Sequence, residues 1–486
     1  MTTPTRTWRE KLLTEQERPA SIKARSNAPW LAVITVCFGA FMGQLDASIV
    51  TIAFPAMRAQ FHTGLGAIEW VSLSYLVTLV AMLTPVGRFS DVHGRKLLYT
   101  WGFGVFTVAS AVCGAAPTLA ALLVFRVIQA FGAALMQSNS VALVTTSVRP
   151  ADLRKALGIQ GTAQALGLAL GPTVGGLLVA AGGWRLVFYV NVPVGIAAIV
   201  MARYLLPRTH HKSTMEQTDW AGLVLLGATT SALLLAMSAI SGLHLGSSAV
   251  IALFVLSAVL LVAFVWREHT AAEPLVPLSL LAHRDMATGL TSGMFAFVAL
   301  FGMLVVAPFL LDARGIHVAI AGIILTALPL GIGIAAAAAG ALSGKFSGRL
   351  LTVTGMLIAA VGLVAAGLSG SVTALLAGAL LIMGLGIGVF NPSNNAGIMT
   401  SAPSSSAGLA SGLLNMTRGL GTALGVAVGA LTYHLGGTGA SAPEHGFLIA
   451  SVVLAIIAAG AALVSRFGSR HAPGSAGGSV HYVEAL

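Results

Sequence analysis

The sequence predicts an all-helical membrane protein, and three observations support this fold class. Hydrophobic residues make up 56% of the 486 residues, whereas charged residues make up only 8%, far below the roughly 25% of a soluble domain. Mean hydropathy is +0.90. Apolar stretches of about 20 residues, the length that crosses a bilayer, recur along the chain between short polar connectors. Helices satisfy their backbone hydrogen bonds within lipid, so a bundle of transmembrane helices follows.

Fourteen such stretches occur in order along the chain. The predicted spans 1 to 14 cover residues 30–52, 68–87, 97–115, 118–140, 157–181, 187–206, 219–240, 247–266, 287–311, 319–342, 350–369, 372–396, 407–434 and 446–466. The longest inner connectors, 203–218 and 267–286, flank spans 7 and 8. We therefore predict an N-terminal tail at 1–29, a six-helix half at 30–206, a linker with two additional spans at 207–286, a second six-helix half at 287–466 and a flexible tail at 467–486.

The distribution of basic residues predicts the orientation. The connectors and tails on one side carry 21 Lys and Arg residues, whereas the opposite side carries only Arg58, Arg185 and Arg314. Basic residues concentrate on the cytoplasmic side of membrane proteins, so both termini are predicted to be cytoplasmic, in a bacterial inner membrane. The polar start of the chain has no cleavage pattern, which favours a retained tail over a signal peptide.

Composition also argues against several other classes. Cys37 and Cys113 are the only cysteines and both lie in apolar segments, so we expect neither a disulfide framework nor a metal site. The net charge of +11 is scattered over connectors, which does not predict a nucleic-acid partner. No G-x-x-x-x-G-K-[ST] loop and no catalytic cluster occur, so we expect no enzyme activity and no cofactor.

Asp46 is the one carboxylate well inside an apolar stretch, among 15 acidic residues. Such a group costs about 2.5–3.5 kcal/mol on insertion scales and usually serves function. It lies roughly 9 Å from the outer end of span 1, and Arg126 lies roughly 12 Å from the same face in span 4, at 1.5 Å per residue. We therefore predict that the two side chains pair and handle protons. The alternative is a static pair that holds spans 1 and 4 together.

Three sequence blocks resemble one transporter family. Residues 87–96 match the G-x-x-x-D-x-x-G-R-[RK] loop of the major facilitator superfamily, with Gly87, Asp91, Gly94, Arg95 and Lys96. Residues 167–176 in span 5 resemble its antiporter motif, with Gly167, Gly171, Pro172, Gly175 and Gly176. Residues 45–55 are similar to the L-D-x-[ST]-x-V-x-x-A-x-P signature of the fourteen-helix drug:proton antiporters. The resemblance implies a major facilitator-type fold, with two six-helix halves, two inserted central helices and alternating access.

The resemblance implies that residues 87–96 form a conformational latch between the halves. Gly87 and Gly94 permit a tight reversal, and Asp91 can dock on the positive end of a helix beginning near residues 404–406. An ordinary polar turn is the alternative. The corresponding stretch of the second half, 340–349, has no acid, so the latch is predicted to be one-sided.

The glycines of span 5 predict a close helix contact. Gly167, Gly171 and Gly175 recur every four residues and form one stripe, while Pro172 favours a bend. The resemblance implies that this surface lies between the halves and closes the leak path; generic small-residue packing is the alternative.

Further polar and aromatic residues are candidates for a substrate cavity, although hydrogen bonding between helices explains any one of them equally well. They are Gln44, Trp70, Tyr75, Gln137, Asn139, Gln164, Phe390, Asn391, Asn394 and Arg418. Glu69 and Asp312 fall at outer helix ends, where we expect solvated caps, with proton sites as the alternative.

The predicted function is a proton-coupled multidrug efflux transporter that confers antibiotic resistance. It exports hydrophobic cationic or zwitterionic small molecules and takes its energy from inward H⁺ movement. Its partners are these substrates, H⁺ and the lipid bilayer, and it is expected to act as a monomer. The alternatives are an exporter dedicated to one metabolite, lipid or antibiotic, and a receptor or regulatory membrane protein without transport.

Overall fold

The structure is a computed structural model. It describes residues 15–149, 152–209, 219–240, 245–271, 274, 283–342, 346–401, 407–436 and 442–468, and within these ranges all regular secondary structure is helical. The latch partner predicted near 404–406, residues 1–14 of the N-terminal tail and residues 469–486 of the C-terminal tail therefore lie outside the described residues.

Fourteen long helices occupy the predicted spans, which confirms the helical fold class. We number them α1 to α14. They are Ala28–Ile49, Trp70–His93, Arg95–Gly114, Leu119–Ser147, Leu153–Gly182, Asn191–Leu205, Trp220–Ser238, Ser247–Thr270, Arg284–Ala313, Val318–Leu325 continued by Ala327–Leu342, Gly348–Gly367, Thr373–Ser401, Ala407–His434 and Ala442–Arg466.

Thirteen of these helical segments are long and apolar enough to cross a membrane. The remaining one, α13, is 28 residues long but carries Asn415 and Arg418 in its middle, which lower its hydropathy. The first span extends beyond its predicted end at residue 52, through a 3₁₀ turn at Thr51–Ala53 and a helix at Phe54–Phe61. A short helix, Leu65–Ile68, then leads into α2.

Two hydrophobic cores organise the bundle. The first is built mainly from α1 to α6 and the second mainly from α9 to α14. We call the end that carries residues 50–69 and 183–190 the outer end, following the predicted orientation, and the opposite end the inner end. The cores meet where the segment Thr51–Phe61 contacts α9, where α2 contacts α13, and where α5 contacts α10.

The inserted pair packs beside this junction. Helix α7 contacts both α2 and α13, whereas the main neighbour of α8 is α7. Val255, Val262 and Trp266 of α8 are exposed, an arrangement that suits a helix facing lipid. Helix α7 thus bridges the two halves, and α8 covers α7.

Candidate functional site

Asp46 and Arg126 form a buried ion pair in the first half. Arg126 Nη1 lies 2.7 Å from Asp46 Oδ2, and the side chains of Arg126 and Asp46 are 1% and 0% exposed, respectively. The pairing predicted from their depth in α1 and α4 is therefore present. A buried charge without a partner is costly. Each of these two charges therefore lowers the free-energy cost of burying the other.

The guanidinium of Arg126 is held on more than one side. Its Nε donates to the carbonyl oxygen of Val71 on α2 at 2.8 Å, and its centre lies 4.2 Å from the ring centroid of Tyr75. A planar guanidinium can make such directed contacts at several edges and one face, which an ammonium cannot. Arg126 therefore ties α1, α2 and α4 together.

Three further residues, Ser110, Gln129 and Asn191, complete the network. The sequence alone did not place them in the site. Gln129 Nε2 and Asn191 Nδ2 donate to Asp46 Oδ1 at 3.0 and 3.2 Å. The same two groups donate to Ser110 Oγ at 3.2 and 3.0 Å. Gln129 also accepts from Arg126 Nη1 at 2.8 Å. Of the three, Gln129 had a usable sequence signal, because it lies three residues after Arg126 and residues i and i+3 share a helix face.

This arrangement complements a negative charge on Asp46. The carboxyl oxygens accept hydrogen bonds from Arg126, Gln129 and Asn191. Charge-assisted hydrogen bonds of this kind are stronger than neutral ones. Protonating Asp46 would remove its charge and weaken contacts that join α1 to α4 and α6. The network can therefore couple proton occupancy to the position of α1.

The latch motif has a different local structure from the predicted loop. Helix α2 continues to His93, so Gly87 and Asp91 lie within the helix, and the expected reversal at Gly87 is wrong. Gly94 alone makes the turn, with a φ of 117° that favours glycine. Arg95 and Lys96 begin α3. The side chain of Asp91 is not described, so its latch role stays a prediction.

Lys96 joins elements of the first half and the tail. Its Nζ donates to the carbonyl oxygens of Gln16 and Leu206 at 2.8 and 2.7 Å. Nearby, Glu15 accepts from the backbone N–H of Leu97 at 3.2 Å and from the hydroxyl of Thr209 at 2.8 Å. The segment at 15–16 thus docks on the inner ends of α3 and α6.

We expect Lys96→Met to lower stability. The change leaves two carbonyl oxygens without a charged donor, and hydrogen bonds to charged groups contribute about 1.5–3 kcal/mol each. Thermal unfolding in detergent should show a lower Tm for Lys96→Met and an unchanged Tm for the exposed control Lys23→Met. Equal unfolding temperatures would show that this docking contributes nothing to stability.

The glycine motif of α5 faces two neighbours rather than one. Cβ atoms added at Gly167, Gly171 and Gly175 would collide with α1, in the same half. A Cβ added at Gly176 would lie 2.7 Å from the carbonyl oxygen of Val318 on α10, in the other half. The predicted stripe is thus present, but its three glycines pack within the first half, and Gly176 approaches the second.

The junction of α5 with α10 contains further close contacts. The hydroxyls of Thr173 and Thr326 contact each other, and a Cβ at Gly322 would meet the carbonyl oxygen of Pro172. Phe54 and Phe309 add an aromatic contact between the halves, with ring centroids 6.4 Å apart. The halves are therefore in contact at the outer end.

We expect Gly176→Ala to open this outer junction. The added Cβ meets backbone, which cannot rotate away, and overpacking costs about 1–3 kcal/mol. Disulfide cross-linking of Thr173→Cys with Thr326→Cys, in a chain lacking Cys37 and Cys113, should fall in yield. The matched control is Gly161→Ala, where an added Cβ meets open space. If both variants cross-link like the parent, Gly176 does not control the junction.

The cavity candidates of the first half are mostly engaged with other helices. Asn139 donates to Ser90 Oγ at 2.8 Å and joins α4 to α2. A Cβ at Gly43 would lie 3.2 Å from Gln137 Nε2, and one at Gly167 would lie 3.2 Å from Gln44 Cβ. The remaining candidates are half-buried Trp70 and Gln164 and fully buried Tyr75.

The cavity candidates of the second half are also mostly engaged in contacts with other residues. Asn394 donates to the carbonyl oxygen of Gly289 at 3.0 Å and joins α12 to α9. Arg418 donates to Asn395 at 2.7 Å, and Asn391 is half-buried. Phe390 is 0% exposed in the second core, so in this conformation it packs between helices instead of lining a cavity.

The chain belongs to the major facilitator superfamily. The family model for the Major Facilitator Superfamily matches residues 36–312 and 288–481. The chain is 30% identical over 406 residues to a tetracenomycin C resistance and export protein of Streptomyces glaucescens, a match covering 82% of this chain and 75% of that protein. It is also 30% identical over 401 residues to a riboflavin transporter of Clostridioides difficile, covering 82% and 87% of the two chains.

Other comparisons agree with the fold and class. A drug efflux pump of Mycobacterium tuberculosis is 32% identical over 404 residues, covering 82% of this chain and 79% of that protein. The crystal structure of a bacterial homologue of the human lysosomal transporter Spinster, in an inward-facing and unoccupied conformation, has a TM-score of 0.66 at 17% identity, covering 93% and 100% of the two chains. The protein is therefore a multi-pass membrane transporter of the major facilitator type.

Proposed function

We propose that this protein exports hydrophobic small molecules in exchange for inward-moving protons. The observation that supports this proposal most strongly is the buried network around Asp46, in which a carboxylate, a guanidinium and two amides meet within the membrane-spanning core. Intramembrane ionisable groups usually lie on ion or substrate pathways. The named functions of the relatives, among them export and drug efflux, support the direction of transport and the kind of substrate.

Helix α1 offers a route from proton binding to conformational change. It carries Asp46 and packs its middle and outer parts against the glycines of α5. The segment that follows it contacts the other half through Ile52 and Phe54. A neutral Asp46 no longer holds Arg126 by charge. We propose that α1 then shifts, that the contact between Phe54 and Phe309 separates, and that access to the substrate alternates between the two sides of the membrane.

The energetics of this exchange are adequate. A proton that moves inward through roughly 150 mV releases about 3.5 kcal/mol, at about 2.3 kcal/mol per 100 mV. This free energy supports a substrate ratio of roughly a few hundred-fold for a neutral molecule. We propose a bacterial inner-membrane location with both termini cytoplasmic, which gives the exchange this driving force and the direction of export.

Reconstituted vesicles test this proposal directly. Proteoliposomes with an imposed pH gradient should accumulate ethidium, a fluorescent lipophilic cation, and a protonophore should abolish the accumulation. Vesicles without protein serve as the control. Accumulation that persists after the gradient has collapsed would contradict proton coupling.

A dedicated metabolite exporter is the second candidate, and the riboflavin transporter among the relatives favours it. The same vesicles distinguish the two functions. A broad exporter should transport several unrelated lipophilic cations, whereas a dedicated exporter should transport riboflavin and should not accumulate ethidium.

A further inference from the structure

Glu69 is a second buried carboxyl group that the proton-coupling network does not use. It lies between the short helix Leu65–Ile68 and α2. Its side chain is 0% exposed, and neither of its carboxyl oxygens has a hydrogen-bond partner among the described residues. The expectation of a solvated helix cap is therefore wrong for Glu69. Asp312, in contrast, is exposed at the outer end of α9.

The elements around Glu69 come from both halves and from the inserted pair. The helix Leu65–Ile68 and α2 both pack against α7 and α13. Ser238 of α7 faces the Glu69 carboxyl, and its hydroxyl also lacks a partner in the described structure. One turn earlier, Leu234 is fully buried in the same core as Ile68. Glu69 therefore lies at the outer junction without solvent exposure.

The charged groups of these elements point elsewhere. Arg418 of α13 bonds to Asn395, and His434 at the end of α13 is exposed. His93 is at the inner end of α2, as are the backbones of Arg88 and Asp91, and Asp219 precedes the inner end of α7. Tyr75, further along α2, contacts Arg126. Among the described residues, Ser238 is the polar side chain that α7 presents to Glu69.

A carboxylate that is buried without a partner is strongly disfavoured, whereas a neutral carboxylic acid is tolerated. The closed outer junction thus favours protonated Glu69. Alternating access separates α2 from α13 at the outer end, and water that enters there allows Glu69 to ionise. Deprotonation then opposes closing, because closing would bury the negative charge.

We propose that Glu69 is a proton-binding site that gates the outer side of the transporter. A proton arriving from outside neutralises Glu69 and allows the outer junction to close over it. The same proton returns to the outside when the junction reopens, so it is not carried across the membrane. Glu69 therefore controls when the transporter closes, whereas Asp46 is proposed to carry the exchanged proton. Helix α7 covers the site and supplies Ser238, which gives the inserted pair a role.

Distance measurements between spin labels test this gate. The labels replace His62 and Leu368, exposed at the outer ends of the two halves, in a chain lacking Cys37 and Cys113. The chain also carries Asp46→Asn, so that the response of Asp46 is absent. Double electron–electron resonance in lipid nanodiscs between about pH 5 and about pH 8.5 should show more of the short-distance, closed population at low pH.

Two variants and one control decide the outcome. Glu69→Gln should keep the closed population high and independent of pH, because the amide is neutral throughout. Ser238→Ala retains the carboxyl and should move the midpoint to higher pH, because it removes the hydroxyl that faces the ionised form. Asp312→Asn, which changes an exposed acid at the outer end, should respond like its parent.

The proposal is overturned if Glu69→Gln keeps the pH response, if Asp312→Asn abolishes it, or if Ser238→Ala leaves the midpoint unchanged. The last variant keeps the test decisive if Glu69→Gln does not fold. The gate presumes the alternating access of the proposed function. Because the distances are measured without substrate or proton flux, failure of the gate and failure of proton-coupled export remain distinguishable.

Discussion

Asp46→Asn should abolish proton-driven export while the protein still folds and binds substrate. The amide is similar in size to the carboxyl group and still offers an oxygen to Gln129 and Asn191, but it cannot release a proton near neutral pH. The inward movement of a proton then no longer drives transport. With an imposed gradient of about 2.5 pH units, a 1:1 exchange of H⁺ for a monovalent cation gains about 1.36 kcal/mol per unit. An ethidium ratio of roughly a few hundred-fold should then fall to about 1 in Asp46→Asn.

The measurement is the steady-state ethidium ratio across proteoliposomes with an imposed pH gradient. Asp152→Asn is the control, because it removes an acid near the inner end of α5 whose described ion pair, with Arg149, lies on the surface. Binding of ethidium to the detergent-solubilised variant should remain. Full concentrative export by Asp46→Asn would remove Asp46 from the coupling mechanism.

Arg126→Ala should stop turnover or move the pH profile of transport to higher pH. Without the guanidinium, ionised Asp46 lacks its positive neighbour, and removing one partner of a buried ion pair typically costs about 3–5 kcal/mol. Asp46 should therefore retain its proton near neutral pH, so that release on the inner side fails there and occurs only at higher pH. The backbone carbonyl of Val71 also loses its donor.

Arg126→Lys separates charge from geometry. Lysine keeps a positive charge near Asp46, but its single ammonium group cannot reproduce the contacts with Val71, Gln129 and the ring of Tyr75 together. We expect partial transport with a pH profile between those of the parent and Arg126→Ala. Export measured at a series of pH values tests this order. Identical profiles for all three proteins would show that Arg126 does not tune Asp46.

The sequence predicted the fold class and the central ion pair for physical reasons. Apolar spans of about 20 residues with few charges are required by the thickness and low polarity of the bilayer. Asp46 and Arg126 lie at similar depths in α1 and α4, which predicts that they can pair. The sequence did not identify Ser110 or Asn191 as members of the network, because serine and asparagine are ordinary components of transmembrane helix contacts. Their convergence on Asp46 depends on how α3 and α6 pack, which hydropathy does not specify.

Two other differences have clear causes. The motif at 87–96 predicts a turn at Gly87, but one glycine does not end a helix. Of the two glycines of this motif, only Gly94 adopts a positive φ. Glu69 was expected to be solvated because it lies near a helix end. The packing of α7 and α13 over that end buries it, a tertiary effect that is invisible in the local sequence. Glu69 thus shows that proximity to a helix end does not determine exposure.

Substrate-induced proton release tests the central claim most directly. Ethidium is added to the purified protein in weakly buffered detergent solution, and a pH indicator records the protons released. The parent protein and Asp152→Asn should release protons as ethidium binds, whereas Asp46→Asn should bind ethidium and release none. Equal proton release from Asp46→Asn and the parent would contradict the assignment of the exchanged proton to Asp46.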